Sequence, residues 1–165
     1  MRSAWLAASL LIAFAASASP ARAQIWNTYQ NDRYGTTIDY PDMFKPQPPP
    51  DADDGLSFKT EDGAELDVFA SYNALNFDLA GLQDFIVKNL APGRTITYRA
   101  QGKNWFVISG TGADVLFYER HMLSHGGQMT EGLVISYPAA LRAKYDPLVA
   151  RISKSFRSGT GFQTQ

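Results

Sequence analysis

Four strand-like runs follow one another in the second half of the chain, with connections too short for anything but antiparallel neighbours. They are Thr95 to Ala100 (TITYRA), Trp105 to Ser109 (WFVIS), Val115 to Met122 (VLFYERHM) and Met129 to Tyr137 (MTEGLVISY). β-branched and aromatic residues, which suit a pleated and half-buried surface, fill them. The links Gln101 to Asn104, Gly110 to Asp114 and Ser124 to Gln128 are short and carry glycine. A parallel pair needs a crossover of roughly a dozen residues or more, so these links dictate a meander. Trp105-Phe106-Val107-Ile108 is apolar on both faces, which predicts a strand covered on both sides of the sheet.

The register of the last hairpin has two solutions. With Ser124 to Gly127 as a four-residue loop, Leu123 faces Gln128 and Arg120 faces Glu131, an opposite-charge pair. A two-residue loop at Gly126-Gly127 pairs Met122 with Glu131 instead. We expect the first, because a directly opposed ion pair stabilises a ladder by about 0.2–1 kcal/mol.

The elements around the meander complete the outline. Ile25 to Tyr29 is ambiguous, Asn31 to Gly35 reads as a turn, and Thr36 to Tyr40 reads as a strand ended by Pro41. Pro46 to Asp54 (PQPPPDADD) is a loop, since consecutive prolines cannot donate to a ladder. Leu56 to Thr60 and Ala64 to Ser71 flank Asp62-Gly63, a hairpin signal. Asp78 is suited to cap a helix whose stripe is Leu79, Leu82, Ile86 and Leu90, stopped by Pro92-Gly93. Leu141, Tyr145, Leu148, Ile152 and Phe156 form a second stripe. Within it Asp146-Pro147 predicts a kink or the start of a second helix. The fold class expected is α+β: a curved antiparallel sheet of about six to seven strands packed against helices.

The N-terminus reads as an export signal. Met1-Arg2 is a short positive start, Ala4 to Ala16 an apolar run, and Ser17 to Ala23 a polar segment ending in Ala21-Arg22-Ala23. That is the small-x-small pattern of signal-peptidase cleavage, with Gln24 the first mature residue. The apolar run falls short of the roughly 20 residues a spanning helix needs. The organisation expected is a signal over residues 1–23, one domain over 24–156 and a flexible polar tail over 157–165. The localisation expected is periplasmic or secreted, with no membrane span after signal removal.

Composition excludes further classes. There is no cysteine, so neither a disulfide nor an acylated cysteine is available. Removing Arg2 and Arg22 from 15 basic residues leaves 13 against 16 acidic ones, a formal charge of −3. No basic stripe marks nucleic-acid binding.

Asn31-Asp32-Arg33-Tyr34-Gly35, then Ile38-Asp39-Tyr40-Pro41 and Phe44, resembles the opening of PsbP/Mog1-like domains. Ile152-Ser153-Lys154-Ser155-Phe156 resembles their closing Ser-Phe step. The chain is also similar to small exported proteins of Gram-negative bacteria that carry Lys103 to Gly110 (KNWFVISG) and Tyr118-Glu119-Arg120. The first resemblance implies an α/β/α sandwich and a non-catalytic binder, as in an accessory subunit of a photosynthetic complex and a small-GTPase-binding protein. No interaction residue of those relatives matches a position here.

Motifs for chemistry are sparse. Ser109 lacks the first glycine of Gly-x-Ser-x-Gly. Gly110-Thr111-Gly112 has no Gly-Lys-Ser/Thr and reads as a turn. In Asp51 to Gly55 the glycine falls fifth, out of register for a calcium loop. Glu119, His121, His125 and Glu131 are the one metal-like set. Glu119 and His121 share a strand face, Glu131 projects from the other, and His125 sits in the turn, short of the three or four convergent ligands zinc wants. Trp26, Tyr40, Phe44, Phe58, Phe69, Tyr98, Trp105, Phe117 and Tyr118 serve either a sheet–helix core or a ligand pocket. Sequence thus assigns no catalytic, cofactor or metal residue. It favours a domain that binds a protein or other envelope component, with a small hydrolase or other enzyme and a small-ligand binder as alternatives.

Overall fold

The computed structural model describes residues 24–159. The signal segment expected over 1–23 lies outside them, as do the last six residues of the expected tail. Strand β1 (Trp26–Gln30) pairs antiparallel with β2 (Thr37–Pro41) as a separate ribbon. The Asn31–Gly35 turn between them closes through Asn31 Oδ1, which accepts from the Tyr34 amide at 2.7 Å. Gly35 there takes a φ of 74°, a conformation open to glycine.

The main sheet contains β3 (Lys45–Pro46), β4 (Gly55–Lys59), β5 (Glu65–Tyr72), β6 (Thr95–Gln101), β7 (Trp105–Thr111), β8 (Val115–Ser124) and β9 (Met129–Pro138). Its order is β3-β4-β5-β9-β8-β7-β6, antiparallel throughout. The meander is as the short links dictate, and the earlier hairpin docks β5 on β9. The connection from β5 to β6 therefore crosses the sheet, and helix α1 (Leu79–Lys88) lies in that crossing.

One face of the sheet carries helix α2 (Arg142–Ser155) and the β1–β2 ribbon. Ile38, Phe44, Phe58, Leu66, Leu133, Ile135, Tyr145 and Ile152 fill the space between them, each almost fully buried. On the other face Leu82 of α1 packs on Phe106, Ile108 and Phe117. β7 is thus covered on both sides, Phe106 and Ile108 by α1 and Val107 on the opposite face. The Asp78 side chain caps α1 by accepting from the Gly81 amide at 2.7 Å.

Three expectations need correction. In the last hairpin Ser124 pairs with Met129, Met122 with Glu131 and Arg120 with Leu133. The turn is His125–Gln128, and the ladder is displaced by two residues from the ion-paired register. A shift of two keeps every side chain on its face, so Arg120 and Glu131 share a face without opposing one another. His125, Gly126 and Gly127 all take positive φ, which lets the strands run on to Ser124 and Met129. Second, α2 passes continuously through Pro147 from Arg142, preceded by a 3-10 turn at Ala139–Leu141. Asp146 is therefore not a cap; its carboxylate accepts from the Tyr137 hydroxyl and from Arg142 Nε. Third, Arg157, placed in the tail by sequence, forms a backbone bridge with Thr37 at 2.9 and 3.1 Å.

Candidate functional site

The α1-bearing face of the sheet is only partly covered, and an aromatic row runs across it from Phe106, buried under α1, to exposed Phe69. Phe69 of β5 lies opposite Gly132 of β9, Gly132 opposite His121 of β8, and His121 opposite Phe106 of β7. Gly132 makes the row possible, because a Cβ there would fall 2.2 Å from Phe69 Cζ. The His121 ring stacks on Phe106 with centroids 5.1 Å apart and stands 6.1 Å from Phe69 at 56°.

Beside this row opens a cleft of about 270 Å³ lined by Phe69, Tyr72, Leu75, Phe77, Leu82 and Phe85, with His121 reaching it from the sheet. Phe69, Tyr72, Leu75 and Phe85 are 37, 42, 68 and 44% exposed. The segment between β5 and α1 that holds Leu75 is fastened by Asn73. Its amide nitrogen donates to the carbonyls of Phe77 and Gly127, both at 2.8 Å, and its Oδ1 accepts from the Phe77 amide at 2.9 Å. The backbone amide of Asn73 donates to Gln128 O at 2.8 Å. Leu75 is therefore displayed on a loop locked to the β8–β9 turn.

The ionisable groups beneath the cleft are spent on one another. Buried Glu119 accepts from Arg94 Nη1 at 2.9 Å and bonds His121 Nε2 at 3.0 Å. A buried carboxylate needs such partners, since leaving it unpaired is costly. The nearby hydroxyls of Ser71 and Thr130 bond each other at 2.9 Å, and His121 engages Glu119 rather than a hydroxyl. Among the described residues of this cleft the imidazole is thus held by a carboxylate, not by the nucleophile acyl transfer requires; a serine–imidazole contact occurs instead in the β8–β9 turn, Ser124 Oγ with His125 Nδ1 at 3.0 Å. A second cleft of about 290 Å³, on the α2 face, is lined by Thr97, Ser109, Tyr118, Tyr137, Arg142 and Asp146. Burial, then the adjacent Asp146 carboxylate, push the Tyr137 phenol well up, so it stays a donor to Asp146 and cannot act as a base near neutral pH.

The comparisons with known proteins bear on the frame that holds these clefts. No protein-family model matches the sequence, and a comparison with curated proteins finds no match. Solved structures do match. The solution structure of cyanobacterial PsbP (CyanoP) from Synechocystis aligns with a TM-score of 0.61 at 14% identity, over 86% of this chain and 97% of that one. The crystal structure of the Saccharomyces cerevisiae Ran-binding protein Mog1p aligns with a TM-score of 0.55 at 14% identity, over 82% and 96%. The fold is PsbP/Mog1-like. At this identity the likeness is one of backbone, and the cleft must be read from this chain's own side chains.

Within the PsbP/Mog1-like frame the residues singled out by sequence scatter. Ala21 and Ala23 lie outside the described residues, and Gln24 begins them. Glu119 and His121 come together on the α1 face. Glu131 projects from the opposite face, where its carboxylate accepts from the buried hydroxyls of Thr36 and Ser124, and His125 bonds Ser124 Oγ at 3.0 Å in the turn. Among the described residues no three His, Asp or Glu side chains are grouped to hold a metal. In the Asp51 to Gly55 loop the Ala52 and Asp53 carbonyls are taken by Arg33 and Asn31. Of the nine aromatics named, Phe44, Phe58 and Phe117 are core, and Trp26, Tyr40, Trp105 and Tyr118 pack partly buried against it. Phe69 and Tyr98 are exposed.

The sequence reading did not single out Tyr72, Leu75, Phe77 and Phe85. A signal was present. Phe85 interrupts the polar side of α1, off the Leu79-Leu82-Ile86 stripe, and Leu75 is an apolar residue in a segment with no period.

Proposed function

We propose that this chain is an exported, non-catalytic domain that binds a protein partner in the cell envelope through the cleft beside Leu75 and Phe85. The observation that carries the proposal is the gathering of three exposed large apolar side chains around one cleft, Phe69 from β5, Phe85 from α1 and Leu75 from the loop locked by Asn73. Such a concentration is what partner surfaces have and scattered surface apolars lack. A cleft of this size takes one apolar side chain of a partner, the anchor geometry of interface hot spots. Two facts support the wider reading. The Ala21-Arg22-Ala23 pattern favours export, and one protein of the same fold, Mog1p, is a Ran-binding protein. No helix among the described residues is long and apolar enough to cross a membrane.

The test is photo-crosslinking in the source cells. A photoreactive residue at position 75 should capture a discrete envelope protein, and one at exposed Lys154 on α2 should not. Phe85→Glu should abolish the capture while leaving the protein folded, with a stability loss of about 0.5–1.5 kcal/mol from its ring contact with Phe77. Capture that persists in Phe85→Glu, or is equal at both positions, would refute the cleft as the binding surface.

A further inference from the structure

The main sheet ends in two unlike edges. β3 has two residues, Lys45–Pro46, and the chain leaves it through Pro48, Pro49 and Pro50. β6 at the other edge has seven residues, contains no proline and, among the described residues, pairs with β7 alone. Half of the amide and carbonyl groups of an edge strand point away from the sheet. Among the described residues, none of the backbone hydrogen bonds made outside helices and ladders involves residues 95–101. Natural sheets blunt such edges with prolines, bulges or charges. β6 has one bulge, between Ile96 and Tyr98, and beyond it Tyr98 stands 56% exposed.

Charge is the second observation. From Pro92 to Asn104 the chain carries Arg94, Arg99 and Lys103 and no acidic residue, although the chain from Gln24 onward is acidic overall. Arg94 is taken by Glu119. Arg99 and Lys103 are exposed and enter no ion pair among the described residues.

We propose that β6 takes up an extended acidic segment of a partner protein as an additional strand of the sheet. The free backbone groups would supply the binding and the alternating side chains the selectivity, the logic of strand addition. A residue directly opposite Arg99 on the added strand would have its Cβ about 4.5–5.5 Å away on the same face, so a carboxylate there meets the guanidinium. A second copy of this chain is the wrong occupant. An antiparallel β6–β6 pair centred on Arg99 would set the two guanidinium groups directly opposite, which destabilises a ladder, and β6 carries no carboxylate to offset them. The edge is separate from the cleft at Phe69 and Leu75, so this inference stands whether or not that cleft binds a partner.

A phage-displayed random dodecapeptide library, panned on the mature chain at low salt, tests it. Enriched sequences should lack proline and carry carboxylates at alternate positions. A synthetic peptide of the strongest sequence should shift amide resonances mainly within residues 95–101. Arg99→Glu should weaken it at least about tenfold, equivalent to ~1.4 kcal/mol. N-methylation of alternate peptide amides should abolish binding in one phase and spare it in the other, which simple charge adsorption would not show. Panning without enrichment, amide shifts centred on Phe69, Leu75 and Phe85, or indifference to the phase of N-methylation would each overturn the proposal.

Discussion

Ile152→Ala tests the packing of α2 most directly. Ile152 is fully buried among residues of separate elements, Ile38 from β2, Phe58 from β4 and Ile135 from β9. The change removes three carbons, and about 0.8 kcal/mol per buried methylene sets a transfer loss near 2.4 kcal/mol. The cavity adds to this, because walls anchored in three elements cannot all close on it. The total should fall at about 3–4 kcal/mol, within the usual range for such truncations. Urea unfolding followed by tryptophan fluorescence would measure it, with an unchanged m-value showing that the midpoint shift is a stability change. Leu148 is the internal control. It belongs to the same apolar stripe but is only half-buried, its inward place being taken by Val149, so Leu148→Ala should cost about 1–2 kcal/mol. A loss below about 1 kcal/mol for Ile152→Ala, or equal losses at both positions, would mean α2 is loosely docked and the core reasoning wrong.

Further outcomes are expected. The Lys144 ammonium, with the Tyr145 and Thr60 hydroxyls, holds the Asp62 carboxyl well below the usual carboxylate range. Its folded-state pKa lies below the unfolded one, so its stabilisation is complete above about pH 3.9 and is lost as pH falls below that. Asp62→Asn should therefore lower stability at pH 7 and flatten the acid limb of a stability–pH curve; an unchanged limb would refute the assignment. Gly110→Ala would place a Cβ 1.9 Å from the Thr95 carbonyl oxygen. It should cost about 1–3 kcal/mol and strip hydrogen-exchange protection from β6 before the rest of the sheet. N-terminal sequencing of the protein from source cells should begin at Gln24, and a soluble species retaining Met1 would end the export reading.

What could be read from the chain followed from local chemistry. The meander was legible because its links are too short to do otherwise, and α1 because Asp78 and the leucine stripe agree. Three features were hidden for identifiable reasons. The last hairpin turns on His125 at a positive φ, a conformation that side chains disfavour and that composition does not announce. Arg120 opposite Glu131 is the better local pair, yet the longer ladder to Ser124 wins and lets the Ser124 hydroxyl reach Glu131. Pro147 looks like a helix start, but α2 already begins at Arg142, and the proline forfeits the single backbone bond it would have made to Ala143. The cleft was the least legible feature. It joins Phe69 on a strand, Leu75 in a loop and Phe85 on a helix, and no pattern within one element shows that three such residues meet.

The extent of α1 explains why both surfaces exist. It has ten residues, hence a length of about 15 Å and a width of about 10 Å with side chains. Seven strands at about 4.8 Å spacing span nearly 29 Å, so one such helix can cover two or three of them. It settles over Phe106, Ile108 and Phe117, leaving β5 and β9 open on one side of it and the β6 edge on the other. A solvated remainder would need polar side chains throughout, and much of it has them: Lys59, Glu65 and Asp67 point from the same face of β4 and β5. The pattern breaks at Phe69, which covers Gly132, and at Phe85, whose ring lies 5.3 Å from Phe77; Leu75 beside them is 68% exposed. Packing accounts for part of Phe69 and Phe85, so Leu75 is the residue on which the proposed binding role of this surface rests most directly.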